Sequence, residues 1–118
     1  VGWYLSSSEK DAKRRMEPYH NEYFKFAAPF GFVQYSDDQG NRWGAPPMPA
    51  RLPNINDSID QRAWYAGTPE GFIEFLKVWE ARYPGLEHVM LNWPYGQSTN
   101  EFLDQLGIFA EKVMPAFR

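Results

Sequence analysis

The chain carries two hydrophobic periods in turn, one suited to strands and one to helices. Val1-Gly2-Trp3-Tyr4-Leu5 is an apolar run with a β-branched and two aromatic residues, which predicts a short buried strand. Ser6-Ser7-Ser8 ends it, and Ser8 with Asp11 three residues on resembles a capping box. A helix is expected over residues 9–16. Pro18 lacks the N–H for an intrahelical bond and predicts a kink or a division. Tyr19, Tyr23, Phe24 and Ala27 then resume an i, i+4 spacing, so the expectation is one kinked helix ending near Pro29.

Further on, Asp57 or Ser58 can cap one short helical turn through Arg62, before a strand over residues 63–66. Phe72, Ile73, Leu76, Trp79 and Tyr83 then mark the buried stripe of a helix from Pro69 to about Arg82, which Pro84-Gly85 stops. His88-Val89-Met90-Leu91-Asn92-Trp93 predicts a strand buried on both faces, as in parallel sheets. Pro94-Tyr95-Gly96 turns the chain. Ser98 and Glu101 form a capping box in the Ser-x-x-Glu form. Phe102, Leu103, Leu106, Phe109, Ala110, Val113 and Met114 share one stripe of the last helix, and Pro115 closes it.

Residues 29–56 have no period. Pro29, Pro46, Pro47, Pro49 and Pro53, Gly31, Gly40 and Gly44, and the Asp37-Asp38-Gln39-Gly40 turn signal break them up. Phe30, Phe32, Val33, Tyr35, Trp43, Met48 and Leu52 are scattered among these breakers. Long loops in compact domains are usually functional or disordered, and disorder seldom carries so many aromatics. A lid that packs its aromatics on another surface is the expectation.

Strand, helix, lid, strand, helix, strand, helix is an order that implies a parallel sheet with right-handed crossovers. Three strands cannot close a barrel. Alone they leave two unpaired edges and an uncovered sheet face. The chain is therefore expected to be either a small open α/β sandwich or the last part of a larger α/β barrel. Trp64-Tyr65-Ala66-Gly67-Thr68-Pro69-Glu70 packs a strand end, a turn and a helix start into seven residues. Gly67 suits the turn, Thr68 the N-cap, Pro69 the first helical position, and Glu70 complements the helix dipole. Ligands of α/β proteins usually bind at such a carboxyl edge.

Composition narrows the function classes. The 118 residues suit one modest domain, and the aromatic share of 18% supplies a core or an aromatic-lined pocket. A net charge of −3, with no basic face evident, argues against a nucleic-acid partner. Lys13-Arg14-Arg15 reads as a solvated helix face. Without cysteine there are no disulfides or thiolate metal sites. No membrane span is evident, and a cytoplasmic location is the default expectation. An opening directly on an apolar strand suggests a piece of a longer protein.

Enzyme motifs are mostly absent: no glycine-rich dinucleotide loop, P-loop, zinc-protease helix or nucleophile elbow. The two histidines have structural roles in this reading. His20 is expected to be exposed or to cap local carbonyls, and His88 to lie at the strand end away from a usual site. Asp37-Asp38 and Asp57 with Asp60 fit turns and caps before metal ligation.

Ala66-Gly67-Thr68-Pro69-Glu70, then Gly85-Leu86-Glu87-His88-Val89-Met90-Leu91, then Phe109-Ala110-Glu111-Lys112-Val113-Met114-Pro115-Ala116-Phe117-Arg118 resemble, in order and spacing, the carboxyl end of the luciferase-like flavin-dependent monooxygenases. The likeness covers about residues 64–118. Ser8-Glu9-Lys10-Asp11-Ala12 is similar to an earlier helix start of that family. The resemblance implies the last three β/α units of a TIM-type (β/α)8 barrel: one unit at 1–29, a lid-like loop at 30–56 and two further units at 57–118. It also implies reduced FMN, or the deazaflavin F420, with molecular oxygen and a small organic substrate. Most residues that hold the flavin phosphate and carry the chemistry would come from earlier strands. Such a segment would not act unaided; it would need the missing barrel units or a homo-oligomer partner.

In a barrel the site lies at the carboxyl ends of the strands. Here that rim comprises Ser6 and Ser7, Gly67 and Thr68, and Asn92, Trp93 and Pro94. Gly67, Thr68, Asn92 and Trp93 are the candidate cofactor-binding residues, with Asn92 on a ring edge and Trp93 packed on ring or substrate. Equally, Asn92 can cap a strand end and Trp93 can fill core. These positions follow from topology; no family catalytic residue transfers to them. The alternative is a non-catalytic α/β domain that binds a partner protein or a small ligand.

Overall fold

The computed structural model describes residues 1–30, 35 and 51–118. At its centre two parallel strands, β1 (Gly2–Leu5) and β2 (Trp64–Gly67), pair with Gly2 opposite Trp64 and Leu5 opposite Gly67. The protein is a helix-rich α/β fold around this two-stranded sheet. Gly2 is required by packing: a Cβ there would run into the Trp64 ring.

Between the strands runs α1 (Glu9–Ala27), one helix followed by a single 3-10 turn, Ala28–Phe30. Ser8 caps it by accepting from the Asp11 N–H. As expected, the chain continues through Pro18 as one helix that ends near Pro29. Pro18 lies on the exposed side, while Ala12, Met16, His20, Phe24 and Ala27 form an uninterrupted buried face. Burying that face outweighs a proline penalty of about 3 kcal/mol.

The short helix α2 (Ile55–Asp60) starts three to four residues earlier than expected. Asn54 caps it, and Asn54 and Asp57 form a reciprocal capping box. Its exit carries Arg62 at φ 54, with the Arg62 N–H on the Ile59 carbonyl and the Ala63 N–H on the Ser58 carbonyl. That is a Schellman ending with arginine where glycine is favoured. Of the lid-like stretch, Phe32, Val33, Trp43, Met48, Pro46, Pro47, Pro49 and the Asp37-Asp38-Gln39-Gly40 turn lie outside the described residues. Tyr35 is buried against α1.

After β2, α3 (Pro69–Arg82) has the expected bounds, with Thr68 accepting from the Gly71 N–H. The two helices take opposite faces of the sheet. Tyr4, Trp64 and Ala66 pack with Met16 and Phe24 of α1, whereas Trp3 and Leu5 pack with Phe72, Phe75 and Leu76 of α3. This follows from the alternation of side chains along a strand.

The third strand expected over residues 88–93 does not form as a strand, and residues 88–90 are exposed rather than buried on both faces. One rung survives. The Val1 amine donates to the Met90 carbonyl at 2.7 Å and the Asn92 N–H to the Val1 carbonyl at 2.9 Å. That is the parallel-ladder pattern, aligning Leu91 with Val1 on the edge of β1 away from β2. The next rung would need an N–H at position 94, which is proline.

The last helix, α4 (Thr99–Ile108), passes into a π-helical turn, Phe109–Val113, and a 3-10 turn, Met114–Phe117. Its expected apolar stripe is only partly covered. Val113 is buried and Phe102 and Phe109 half-buried, but Leu103 and Met114 are exposed. Among the described residues no helix is long and apolar enough to cross a membrane.

Candidate functional site

The four candidate residues fall into two separate places. Gly67 and Thr68 stand at the carboxyl end of β2. Gly67 is buried and its carbonyl accepts from the Ser6 N–H at 3.0 Å. The Thr68 carbonyl accepts from the Tyr65 hydroxyl at 2.8 Å, and its own hydroxyl is engaged in capping. Glu70 stands exposed in the first turn of α3, where a negative charge complements the helix dipole. Asn92 and Trp93 lie elsewhere. Asn92 stands level with Gly2, three residues or about 10 Å short of the Leu5–Gly67 end, and on the other side of β1. The rim expected from topology is therefore not assembled as one surface.

Asn92 and Trp93 instead line a cleft of about 360 Å³ near the amino ends of the strands. Tyr23, Trp64, Tyr95 and Met90 share its walls. Its aromatics are ordered by one another. Trp93 stacks on Phe102 with centroids 4.7 Å apart and planes 4° off parallel, and its Nε1 donates to the Gln97 carbonyl at 3.1 Å. Tyr23 meets Trp64 edge-on at 5.4 Å and Tyr95 at 5.7 Å. Trp93 thus neither fills core nor hangs free: one face is packed and the side chain remains 48% exposed. Asn92 fixes the segment through its backbone, and its residue is exposed.

At the carboxyl end of β1 the structure brings together a group that the sequence did not single out. Glu101, in the first turn of α4, accepts from the hydroxyls of Tyr4 and Tyr19, each at 2.5 Å. The capping box is consequently half formed, since the Glu101 N–H reaches Ser98 but its carboxylate turns to the tyrosines. Burial and the Glu101 carboxylate raise Tyr4 to about 12. The hydrogen bond to Glu101, ahead of burial, raises Tyr19 to about 12. Asp11 accepts from Ser6 and is ion-paired with Arg14 and Arg15, and these bonds hold its carboxyl at about 2. Gln105 completes the group. Its side chain accepts from the Leu5 N–H at 2.7 Å and donates to the Leu5 carbonyl at 3.0 Å. An amide side chain here does what a neighbouring strand would do. With every polar group satisfied, the cluster clamps α4 to β1 more than it invites a ligand.

His20, expected to be exposed, is fully buried between Phe24 and Trp64. Its Nε2 lies 2.6 Å from the Ser58 hydroxyl, which also accepts from the Tyr35 hydroxyl at 2.8 Å. The His20 Nε2 and the Ser58 hydroxyl thus share one buried hydrogen bond, and Nδ1 faces the Asn21 side-chain oxygen at 3.4 Å. Burial lowers the histidine's proton affinity. The signal for this burial was in the sequence: His20 is four residues from both Met16 and Phe24. Among the described residues no cluster of acidic or histidine side chains could hold a metal ion.

Comparison with protein-family models, curated proteins and solved structures finds no match to this chain.

Proposed function

We propose that this chain holds a planar ring in the cleft beside Asn92 and Trp93. The ring would be the flavin or the small organic substrate of a luciferase-like flavin-dependent monooxygenase. The observation that carries this reading is the cleft itself: Trp93, packed on one face against Phe102, is held rigid yet half exposed among Tyr23, Trp64 and Tyr95. Rigid aromatic walls with a few polar groups are what a small-ligand site requires. The resemblance of residues 64–118 supports reduced FMN, with F420 as the variant, as the source of the oxygen chemistry. In its barrel form this proposal makes the chain the last three β/α units of a (β/α)8 barrel, with earlier units completing the phosphate site and the catalytic groups; it requires Asn92 and Trp93 to move from the amino ends of β1 and β2, where the cleft lies, to the carboxyl-end rim. Titration with oxidised FMN tests it. Saturable quenching of tryptophan emission, weakened in Trp93→Leu, is expected; absence of quenching would remove the flavin.

A second reading is favoured by the sheet. Consecutive barrel strands would put residues 90–92 beside β2, with all helices on one face. Here they run beside β1, and α1 and α3 cover opposite faces. That geometry supports a non-catalytic, open α/β domain binding a partner or small ligand. Amide exchange at Asn92 in this chain separates the two. Protection of Asn92 through the Val1 pairing favours the open domain, and exchange at the rate of an unpaired amide favours the barrel.

A further inference from the structure

The chemistry of the cleft narrows what it can take. Its described walls are glycine, proline, apolar and aromatic residues with the single amide of Asn92, and none is charged. Among the described residues the nearest cation is the Val1 ammonium, which donates to the Met90 carbonyl, and no charged wall stands ready to replace the hydration a phosphate would lose there. The helix N-termini capped by Ser8 and Thr68 follow the carboxyl ends of β1 and β2, the opposite end of the sheet from Gly2 and Trp64. The N-terminus near Trp93 is that of α4, where Ser98 is the cap and the Glu101 carboxylate in the first turn already complements the dipole. A buried quaternary ammonium is matched by several ring faces, often with a carboxylate nearby. In this cleft one Trp93 face is already taken by Phe102, and among the described residues no carboxylate lines it. At about 360 Å³ the cleft is at the small end for organic ligands.

We infer that the cleft is a site for an uncharged, planar aromatic ring system, stacked on the free face of Trp93, with one polar edge toward the Asn92 amide. This rests on the ring-binding reading above and deepens it: the cleft recognises a ring and ignores a phosphate. If a flavin enters, only its ring contributes here, and the organic substrate of this site is a neutral aromatic.

The test titrates the unaltered chain with indole, riboflavin, FMN and tetramethylammonium, followed by ring proton shifts of Tyr23, Trp64, Trp93 and Tyr95. Indole should shift these four rings saturably. FMN should bind no more than about threefold tighter than riboflavin, since an unrecognised phosphate adds little free energy. Trp93→Leu, which keeps apolar cover on Phe102, should weaken indole by about tenfold or more. A preference for FMN over riboflavin beyond about tenfold would overturn the inference. So would saturable shifts with tetramethylammonium, or none with indole. Indole binding with neither flavin binding would remove the flavin reading alone and leave the inference standing. The ring shifts locate the ligand without any variant, so a Trp93→Leu chain that fails to fold does not affect the outcome.

Discussion

A carboxylate that receives two phenol hydroxyls, as Glu101 does from Tyr4 and Tyr19, keeps both phenols protonated to high pH. Glu101→Gln removes the charge while keeping the shape. Tyr19 owes its rise to about 12 first to the Glu101 bond, whereas Tyr4 owes its rise first to burial. Tyr19 should therefore fall further toward its ordinary value of 10 than Tyr4. Ring carbon shifts followed from pH 9 to 12 read this; equal falls would contradict the assignment. His20 makes a second prediction. Its folded proton affinity lies below the ordinary 6.5 because it is buried. Above 6.5 neither state is protonated and the burial carries no proton penalty. As pH falls through 6.5 the unfolded chain takes the proton first, so stability declines by up to about 1.4 kcal/mol per unit until the folded value is reached. Urea unfolding at pH 7 and pH 5 should show this decline, and His20→Gln should flatten it. Asp11, held at about 2 against an ordinary 3.8, loses its contribution only at lower pH and does not disturb that window.

At the scale of elements, the joint between β1 and α4 is the least expected and the most testable. Gln105 occupies the free edge of β1 with both its amide groups. Gln105→Leu would fit the apolar surroundings but leave the buried Leu5 N–H and carbonyl without partners, a cost of about 1–3 kcal/mol. Denaturant unfolding should show that loss, and the Leu5 amide should exchange faster while β2 amides keep their protection. Elements with local signals were legible in the sequence. Thr68, Pro69 and the Phe72 and Leu76 spacing were enough to bound α3, and Ser98 was enough to start α4. What was not legible depended on partners distant in sequence. An apolar run over residues 88–93 reads the same whether or not a neighbour pairs with it, and Pro94 ended the pairing after one rung. The cleft followed partly from Asn92 and Trp93, but Tyr23 and Trp64 joined it only through the fold.

Across the whole molecule, burial separates two halves of one helical stripe. Val113 is fully buried against Trp3, Leu5 and Phe72, while Leu103 is 56% exposed. Val113→Ala should cost roughly 1–3 kcal/mol, and Leu103→Ala should stay within about 0.5 kcal/mol. Thermal or urea unfolding of the two variants checks this. A large cost at Leu103 would mean that the face is covered in solution.

The sequence by itself determined the parallel βαβ order, the bounds of α3, the caps at Ser8, Thr68 and Ser98, and the absence of thiol chemistry. Each of these is decided by residues within a few positions of one another or by composition. Tertiary structure alone decided that α1 and α3 take opposite faces and that Glu101 abandons its capping box for Tyr4 and Tyr19. It also decided that His20 is sealed in the core, and that Asn92 and Trp93 stand apart from Gly67 and Thr68. Those outcomes turn on contacts between residues up to 100 positions apart, where packing and desolvation outweigh local preference.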